Sequence, residues 1–379
     1  MKILILHPLL EIGGGAEKLA IEMHRALLEL GFDSEIVTFN FDVERAEEAV
    51  KLLSPDFSPR IVNVSSWLLR VTDSTLRAVS RNRMTKLRRA LLTGFLIDSI
   101  MKNKDDILID TSSHIPTNTH IAYVHVPLVM PSGRSGVVWR TYEAFLRKIA
   151  DSLTGNPRLV LTNSSWTKRV FMKVYGSRFR VEVLHPPVDV EYFESTNDLR
   201  EKMIITVSRF SPEKKLEEIL KVAVELKDYQ FYIVGSATKE GFKLASQLAE
   251  KAEIMGLGNV YIITNISREK LRELFHRALF YLHPPYPEHF GLSVAEAIAA
   301  GAIPIVYKDG GAWTDIVSHI DPALGYYSVS EISGIVRRIE KNEALVKTIR
   351  EKGLEVVKSF TFEAFKNKLK QFLHICCLQ

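Results

Sequence analysis

Cysteine is nearly absent. The 379-residue chain has two, Cys376 and Cys377, adjacent at its end. That excludes a disulfide framework and fits a reducing compartment. The closing residues CCLQ have the form of a prenylation box, but no polybasic segment leads into them and so short a match arises by chance. Long apolar runs are missing too: nothing approaches the roughly 18 uninterrupted apolar residues of a membrane-spanning helix. The chain enters the apolar run Lys2–His7 directly from Met1, with no signal-peptide pattern. The expectation is a cytoplasmic protein whose membrane contact, if any, is peripheral and on the cytosolic face. Nor is there a strong charge of one sign. With 25% charged residues, 46% hydrophobic and a net charge of +5, the chain is a mildly basic globular protein. Its balance suits nucleotide phosphates or anionic lipid without selecting either, and its length makes two domains the expectation.

Some chemical signatures are also lacking. Gly13, Gly14 and Gly15 lie between the strand Lys2–Leu6 and a helix on which Leu19, Met23, Ala26, Leu27 and Leu30 recur at helical spacing. Yet GGGAEK is not G-x-G-x-x-G, and the following strand, Glu35–Phe39, runs into Asn40 rather than an acid. The dinucleotide fingerprint is therefore absent, and an NAD-dependent dehydrogenase is the least expected function. The turn serves either tight packing or close backbone approach to a ligand such as phosphate. No DxD metal-carrier motif is present: Asp106 and Asp110 flank a strand, and Asp189-Val190-Glu191 falls in a linker. No short nucleic-acid motif accompanies the basic residues, so a nucleic-acid partner is not expected.

What is present begins with a basic stretch. Between residues 66 and 104, Arg70, Arg77, Arg81, Arg83, Lys86, Arg88, Arg89, Lys102 and Lys104 interleave with Trp67, Leu68, Leu69, Leu76, Met84, Leu87, Leu91, Leu92 and Phe95. Such a pattern reads either as an element for an anionic membrane surface or as a solvated basic helix face. Further on, His125 ends the strand Thr119–Val124, just before Pro127. A histidine there faces the crevice of a parallel sheet, or is simply structural. HPPVDVEYF and the polar residues after it mark an interdomain linker.

A second α/β run starts at Lys202. The strand Ile204–Val207 leads through Ser208-Arg209-Phe210 into Ser211-Pro212, which opens a helix. Arg209 and Lys214 at that helix start oppose the helix dipole unless an anion lies between them, so they are either a phosphate site or two solvated bases. Gly235 ends the strand Phe231–Val234, where a planar base could approach the backbone. The helix Leu271–Ala278 and the strand Phe280–Leu282 then lead to the most informative stretch, PPYPEHFGLSVAEAIAAGAIPIVYKDGGAWTDIV. It reads as a loop, a helix over Ser293–Ala300 stopped by Gly301, the strand Ile303–Tyr307, and a Gly310-Gly311 turn opening the next helix. Glu288 sits in the loop and Glu296 on the helix, and free N–H groups at Phe290, Gly291 and Leu292 and at Gly310–Ala312 would favour an anion between them. The plainer reading is two surface acids flanking a core helix.

At Glu288 and Glu296 the sequence resembles the donor-site signature of retaining glycosyltransferase family 4. HFGLSVAEAIAAGAIPIVYKDGG, the Arg209…Lys214 pair, the linker PPVDVEYF and the Gly-Gly loop all match that family's pattern. The resemblance implies an α/β GT-B fold: two Rossmann-like domains facing across a cleft, at residues 1–195 (acceptor side) and 196–358 (nucleotide-sugar side), with a terminal helix at 359–379 crossing back to the first. It implies a metal-independent hexosyltransferase with no cofactor beyond its nucleotide-sugar substrate. Arg209 and Lys214 would hold the diphosphate, Glu296 the ribose and Glu288 the sugar. His125 would point to the transferred sugar, and Gly14, Gly15, Gly235, Phe290, Gly291 and Leu292 would line the donor. Through YVHVP, LTNSSWTKRVF and VSRFSPEKK the chain is most similar to the family's GDP-mannose-dependent branch, which extends a dolichol-linked oligosaccharide. A UDP-sugar enzyme with a soluble acceptor, a GT-B-like epimerase and a non-catalytic sugar-nucleotide binder are the alternatives.

Overall fold

The computed structural model describes residues 2–39, 43–80, 85–100, 106–130, 137–195 and 199–376. Asn40, Arg81, Arg83, Met84, Lys102, Lys104 and the last three residues of CCLQ lie outside this set, as does the side chain of Arg77. The chain divides into two compact units, one of Met1–Pro187 with Phe362–Gln379, the other of Val188–Thr361.

In the first unit, continuous apolar runs form central strands buried on both faces, as a parallel sheet with helices on each side requires, while the edge strand Ile61–Asn63 is exposed. The strands are β1 (Ile3–Leu6), β2 (Ser34–Thr38), β3 (Ile61–Asn63), β4 (Ile107–Asp110), β5 (Ile121–Val124), β6 (Leu159–Thr162) and β7 (Val181–Val183). They lie in the order β3-β2-β1-β4-β5-β6-β7. In the central register Ile5 stands between Ile36 and Ile109. The helix Gly15–Glu29 buries Leu19, Ala20, Met23, Ala26 and Leu27 against this sheet. The chain's last helix, Phe362–Cys376, completes the same core with Phe365, Leu369, Phe372 and Leu373, and its Lys366 pairs with Glu29 at 2.7 Å.

The second unit repeats the plan. Strands β8 (Glu201–Val207), β9 (Gln230–Gly235), β10 (Val260–Thr264), β11 (Ala278–Leu282), β12 (Ile303–Tyr307) and β13 (Gly325–Tyr326) lie in the order β10-β9-β8-β11-β12-β13. Every strand pair here is parallel. In each sheet the order reverses beside the first strand, between β1 and β4 and between β8 and β11. Ligands of doubly wound sheets bind beyond the carboxyl ends of the strands at such a reversal.

Several expectations need correcting. The helix expected over Leu271–Ala278 runs Arg268–Arg277, started by the Ser267 side chain accepting the Lys270 N–H at 3.2 Å; Ala278 already belongs to β11. Ser211-Pro212 opens only one 3₁₀ turn, Pro212–Lys214, because Lys215 turns left-handed at φ 49°. The helix proper is Glu217–Glu225.

The basic stretch changes most. It forms two helices, Trp67–Ser80 and Thr85–Ile100, and two of its arginines point inward. Arg88 and Arg89 are 5% and 6% exposed. Arg88 donates to Asp73 at 2.7 Å, and Arg89 pairs with Glu17. Leu69, Leu87 and Leu92 are core residues. A guanidinium is too costly to bury unless paired, and here each buried one has a carboxylate. Within the described residues, the outward apolar side chains of this stretch are Trp67, Leu68 and Val71, with Phe95 at the margin. The stretch as a whole is therefore not a single membrane-facing surface.

Candidate active site

In the second unit the site grows from the ends of β8 and β11, neighbours in register through Ile204–Phe280 and Ile205–Tyr281. Beyond β8 the chain runs through Ser208 and Arg209 to Lys214; beyond β11 it runs from His283 to Glu288. Lys214 Nζ donates to Glu288 Oε2 at 3.1 Å and also to the Tyr286 hydroxyl. It lies 3.9 Å from the Tyr286 ring centroid. The Tyr286 hydroxyl in turn donates to the same carboxylate oxygen, and His283 Nε2 stands 3.7 Å from it. The other oxygen, Oε1, accepts the His289 N–H at 3.1 Å.

The Glu288 backbone is fixed as firmly as its side chain. Glu288 and Gly310 form a parallel bridge, and the Gly311 N–H donates to the Glu288 carbonyl at 2.5 Å. Gly310 has φ +99°, and a Cβ there would fall 2.6 Å from the Glu288 backbone nitrogen and closer still to its carbonyl oxygen. Only glycine meets both demands. This bridge corrects the expectation of free N–H groups across Gly310–Ala312. Gly311 serves the Glu288 carbonyl and Gly310 donates to Asp309 Oδ1 at 2.9 Å.

Burial works to raise the Glu288 pKa, but the Lys214 charge and the His283 ring outweigh it and hold the carboxyl well below its ordinary value. Glu288 is ionised. Burial lowers the His283 pKa against the pull of Glu288, so that ring is neutral. Burial and the Glu288 charge push Tyr286 far above its usual value, so its hydroxyl keeps its proton.

The other residues expected at the donor, apart from Gly14 and Gly15, are in the same unit. Arg209 is exposed and Glu296 half-buried. Glu296 lies on the helix Leu292–Ala299, whose N-cap is Gly291 at φ +103° with no side-chain cap. A helix start left open in this way offers N–H groups to an anion. The Phe290 ring packs edge-on against Phe360 at 5.2 Å, so it is a core side chain. Gly235 is explained by the protein itself, since a Cβ there would overlap the Ser208 carbonyl.

Gly13, Gly14, Gly15 and His125 lie in the first unit, around its own strand reversal. The Gly14 N–H donates to Glu17 Oε2 at 2.7 Å. Glu17 Oε1 takes His7 Nε2 at 3.2 Å and the Arg89 guanidinium. His7 Nδ1 meets Thr111 Oγ1 at 2.9 Å, and His125 Nε2 lies 3.1 Å from the Thr111 carbonyl. A carbonyl only accepts, so Nε2 carries the hydrogen. Burial, with the charge of Arg89 and the His7 ring, lowers the His125 pKa to about 3. The ring is therefore neutral and its Nδ1 is a bare acceptor.

Sequence reasoning missed His283, Tyr286, His7, Glu17, Arg89 and Thr111. Two signals were available. His283 and His7 each follow a buried strand, as His125 does, and Glu17 stands three positions after Gly14, the spacing of a capping-box acid.

Two family models meet end to end on this chain. "Glycosyltransferase Family 4" matches residues 13–192, and "Glycosyl transferases group 1" matches residues 189–374. A GDP-Man:Man(3)GlcNAc(2)-PP-Dol alpha-1,2-mannosyltransferase of Dictyostelium discoideum is 21% identical over 97% of this chain and 83% of its own length. An alpha-1,3/1,6-mannosyltransferase of Mus musculus is 23% identical over 98% of this chain and 95% of its own. Among solved structures, Anabaena HepE in complex with UDP and glucose superposes with a TM-score of 0.71 at 15% identity, covering 99% of each chain. That likeness carries the fold, which is GT-B. The Lys214–Glu288 pair lies within the group 1 match and the Gly14–Glu17 contact within the family 4 match. From residue 13 to residue 374 the two matches leave no gap, and the protein belongs to glycosyltransferase family 4.

Proposed function

We propose that the protein transfers mannose from GDP-mannose to a lipid-linked glycan, with retention at the anomeric carbon and without a metal ion. The observation that carries transfer chemistry is the pairing of Lys214 with an ionised Glu288 beside the β8–β11 reversal. A cation there meets the charge that develops on a departing diphosphate, and a carboxylate accepts from sugar hydroxyls. The mannosyl assignment rests on the relatives' names, which specify GDP-mannose as donor and dolichol diphosphate glycans as acceptors in those proteins.

In this reading Arg209 and Lys214 take the diphosphate, doing the work that a divalent cation does elsewhere. The open N-terminus of the helix Leu292–Ala299 adds N–H groups to the phosphates. Glu296 accepts from the ribose hydroxyls and Glu288 from sugar hydroxyls. His125 Nδ1 accepts a further sugar hydroxyl, which calls for a neutral ring. The bond from the anomeric carbon to the phosphate oxygen breaks, and the acceptor oxygen bonds to that carbon on the same face. The acceptor's proton passes to the departing phosphate.

No helix among the described residues is long and apolar enough to cross a membrane. A lipid-linked acceptor would be met at a surface, and the exposed Trp67, Leu68 and Val71 beside Arg70 are the part of the 66–104 stretch suited to that contact. The competing donor is a UDP-sugar, the nucleotide in the HepE complex. Thermal stabilisation and hydrolysis across a panel of GDP- and UDP-sugars separate the two. GDP-mannose alone should raise the melting temperature and be turned over; a response confined to UDP-sugars overturns the assignment.

A further inference from the structure

We infer that His283 is a positioning residue for Glu288, supplying the hydrogen bond that keeps the carboxylate in place when a donor diphosphate draws Lys214 away. This rests on the donor-site reading above and adds to it a residue that the reading does not use.

At rest Glu288 Oε2 has two donors, Lys214 Nζ and the Tyr286 hydroxyl, and Lys214 also donates to Tyr286. The three groups form one closed chain. Binding a diphosphate removes Lys214 from it, because an ammonium that neutralises phosphate is no longer free to hold the carboxylate. Tyr286 is tied to the same lysine, so its hydroxyl is disturbed at the same moment. Glu288 would then have to keep its orientation toward the sugar with only the His289 N–H on its far oxygen.

His283 is the polar group left on that side. Its side chain is 4% exposed, and Nε2 has no hydrogen-bond partner among the described residues. It stands 3.7 Å from Oε2, just outside hydrogen-bond range. Closing that gap takes less than about 1 Å of movement. A buried ring nitrogen rarely goes unpaired without a use. For Nε2 to bond an ionised carboxylate, which only accepts, that nitrogen must carry the ring's hydrogen.

The His283 backbone is fixed, so the carboxylate, rather than the histidine, does the moving. The His283 backbone N–H donates to the Ile305 carbonyl at 2.9 Å, and the His283 backbone carbonyl accepts the Tyr326 hydroxyl at 2.5 Å. The ring also packs against that of Tyr286 with centroids 4.7 Å apart. Among the described residues, the titratable groups packed around it are Glu288, Lys214, Tyr286 and Tyr326.

The test uses the full chain with His283→Leu, which removes the donor, and His283→Gln, which restores an N–H. Near-UV circular dichroism shows that each variant has kept its fold. With GDP-mannose as donor, His283→Leu should lower kcat about 10- to 100-fold, leave the donor KM within about threefold and move the acid limb of kcat upward. His283→Gln should recover most of kcat and return the limb. Unchanged kcat in His283→Leu, or no recovery in His283→Gln, overturns the inference.

A second readout does not depend on activity. Nitrogen-15 histidine spectra of the ligand-free chain should show hydrogen on Nε2 of His283, with a shift that changes in Glu288→Leu. A bare Nε2, or a shift indifferent to Glu288, also overturns the inference. If the wild type turns over no nucleotide-sugar, the transfer reading falls, and these spectra alone decide the His283–Glu288 pairing.

Discussion

Glu17 closes the glycine turn on its own helix, accepting the Gly14 N–H at 2.7 Å while the Arg89 guanidinium and His7 bind its other oxygen. Replacing Glu17 by Ala leaves Arg89 buried without its counter-charge. The expected loss is about 3–5 kcal/mol of stability, the cost of breaking a buried pair from one side. Urea unfolding of wild type and variant measures it. The pH dependence has a definite sign. Burial works to raise the Glu17 pKa, but Arg89 and His7 prevail and lower it from 4.5 to about 2. A depressed carboxyl contributes stability that is fully present above the unfolded value and is lost as pH falls through the folded one. The Glu17 contribution should therefore disappear between about pH 4.5 and pH 2.

His24 should make the fold acid-sensitive at milder pH. Its Nε2 accepts the Arg60 N–H at 3.0 Å, which demands a bare nitrogen, and burial with the Arg60 charge lowers its pKa from 6.5 to about 4. The unfolded chain binds the proton first, so stability is lost as pH falls from 6.5 toward 4. The expected loss is about 2 kcal/mol at pH 5 relative to pH 7. In His24→Gln this part of the slope should vanish, as read from urea unfolding at the two pH values.

Gly310→Ala should damage donor binding more than its size suggests. The residue is held at φ +99°, and the new Cβ would press on the Glu288 backbone. Left-handed strain of about 1–2 kcal/mol is added to displacement of Glu288. Calorimetric donor affinity should fall at least about tenfold, with a lower melting temperature. Gly258→Ala, where a Cβ meets open space, is the control and should leave affinity unchanged.

The terminal helix should behave as core of the first unit. Leu369 is fully buried there with Phe365 and Leu373. Leu369→Ala should cost about 2–5 kcal/mol as a large-to-small core change. Lys366→Ala, which removes its pairs to Glu29 and Glu363, should leave stability nearly unchanged, as exposed ion pairs contribute little. Guanidinium unfolding of the two variants compares them directly.

The strands that carry the site were legible because burial on both faces demands unbroken apolar runs: Phe231–Val234 and Ile303–Tyr307 proved to be strand, as did Ile3–Leu6 within the run Lys2–His7. The Glu288 loop, the Glu296 helix and the turn at Arg209 were legible because glycine and proline punctuate them. The basic stretch was misread for the opposite reason. Local pattern cannot show that Arg88 and Arg89 have carboxylates waiting inside, because Glu17 lies 72 positions from Arg89.

By itself the sequence determined the two α/β halves, the family, and the residue types available at the ends of the strands. The two halves follow from periodicity, a property of neighbours in the chain, and the family from the resemblance of the motifs around Arg209, Lys214, Glu288 and Glu296. Tertiary structure alone decided partnership. It joined Lys214 to Glu288 across 74 positions, set the Tyr286 hydroxyl on both, and left His283 Nε2 facing the carboxylate without a bond. Such contacts arise because parallel strands need crossovers, which bring distant segments to one sheet edge. Protonation was decided there too, since the charges of Glu288 and Glu17 and the neutrality of His125 depend on burial and on partners remote in sequence.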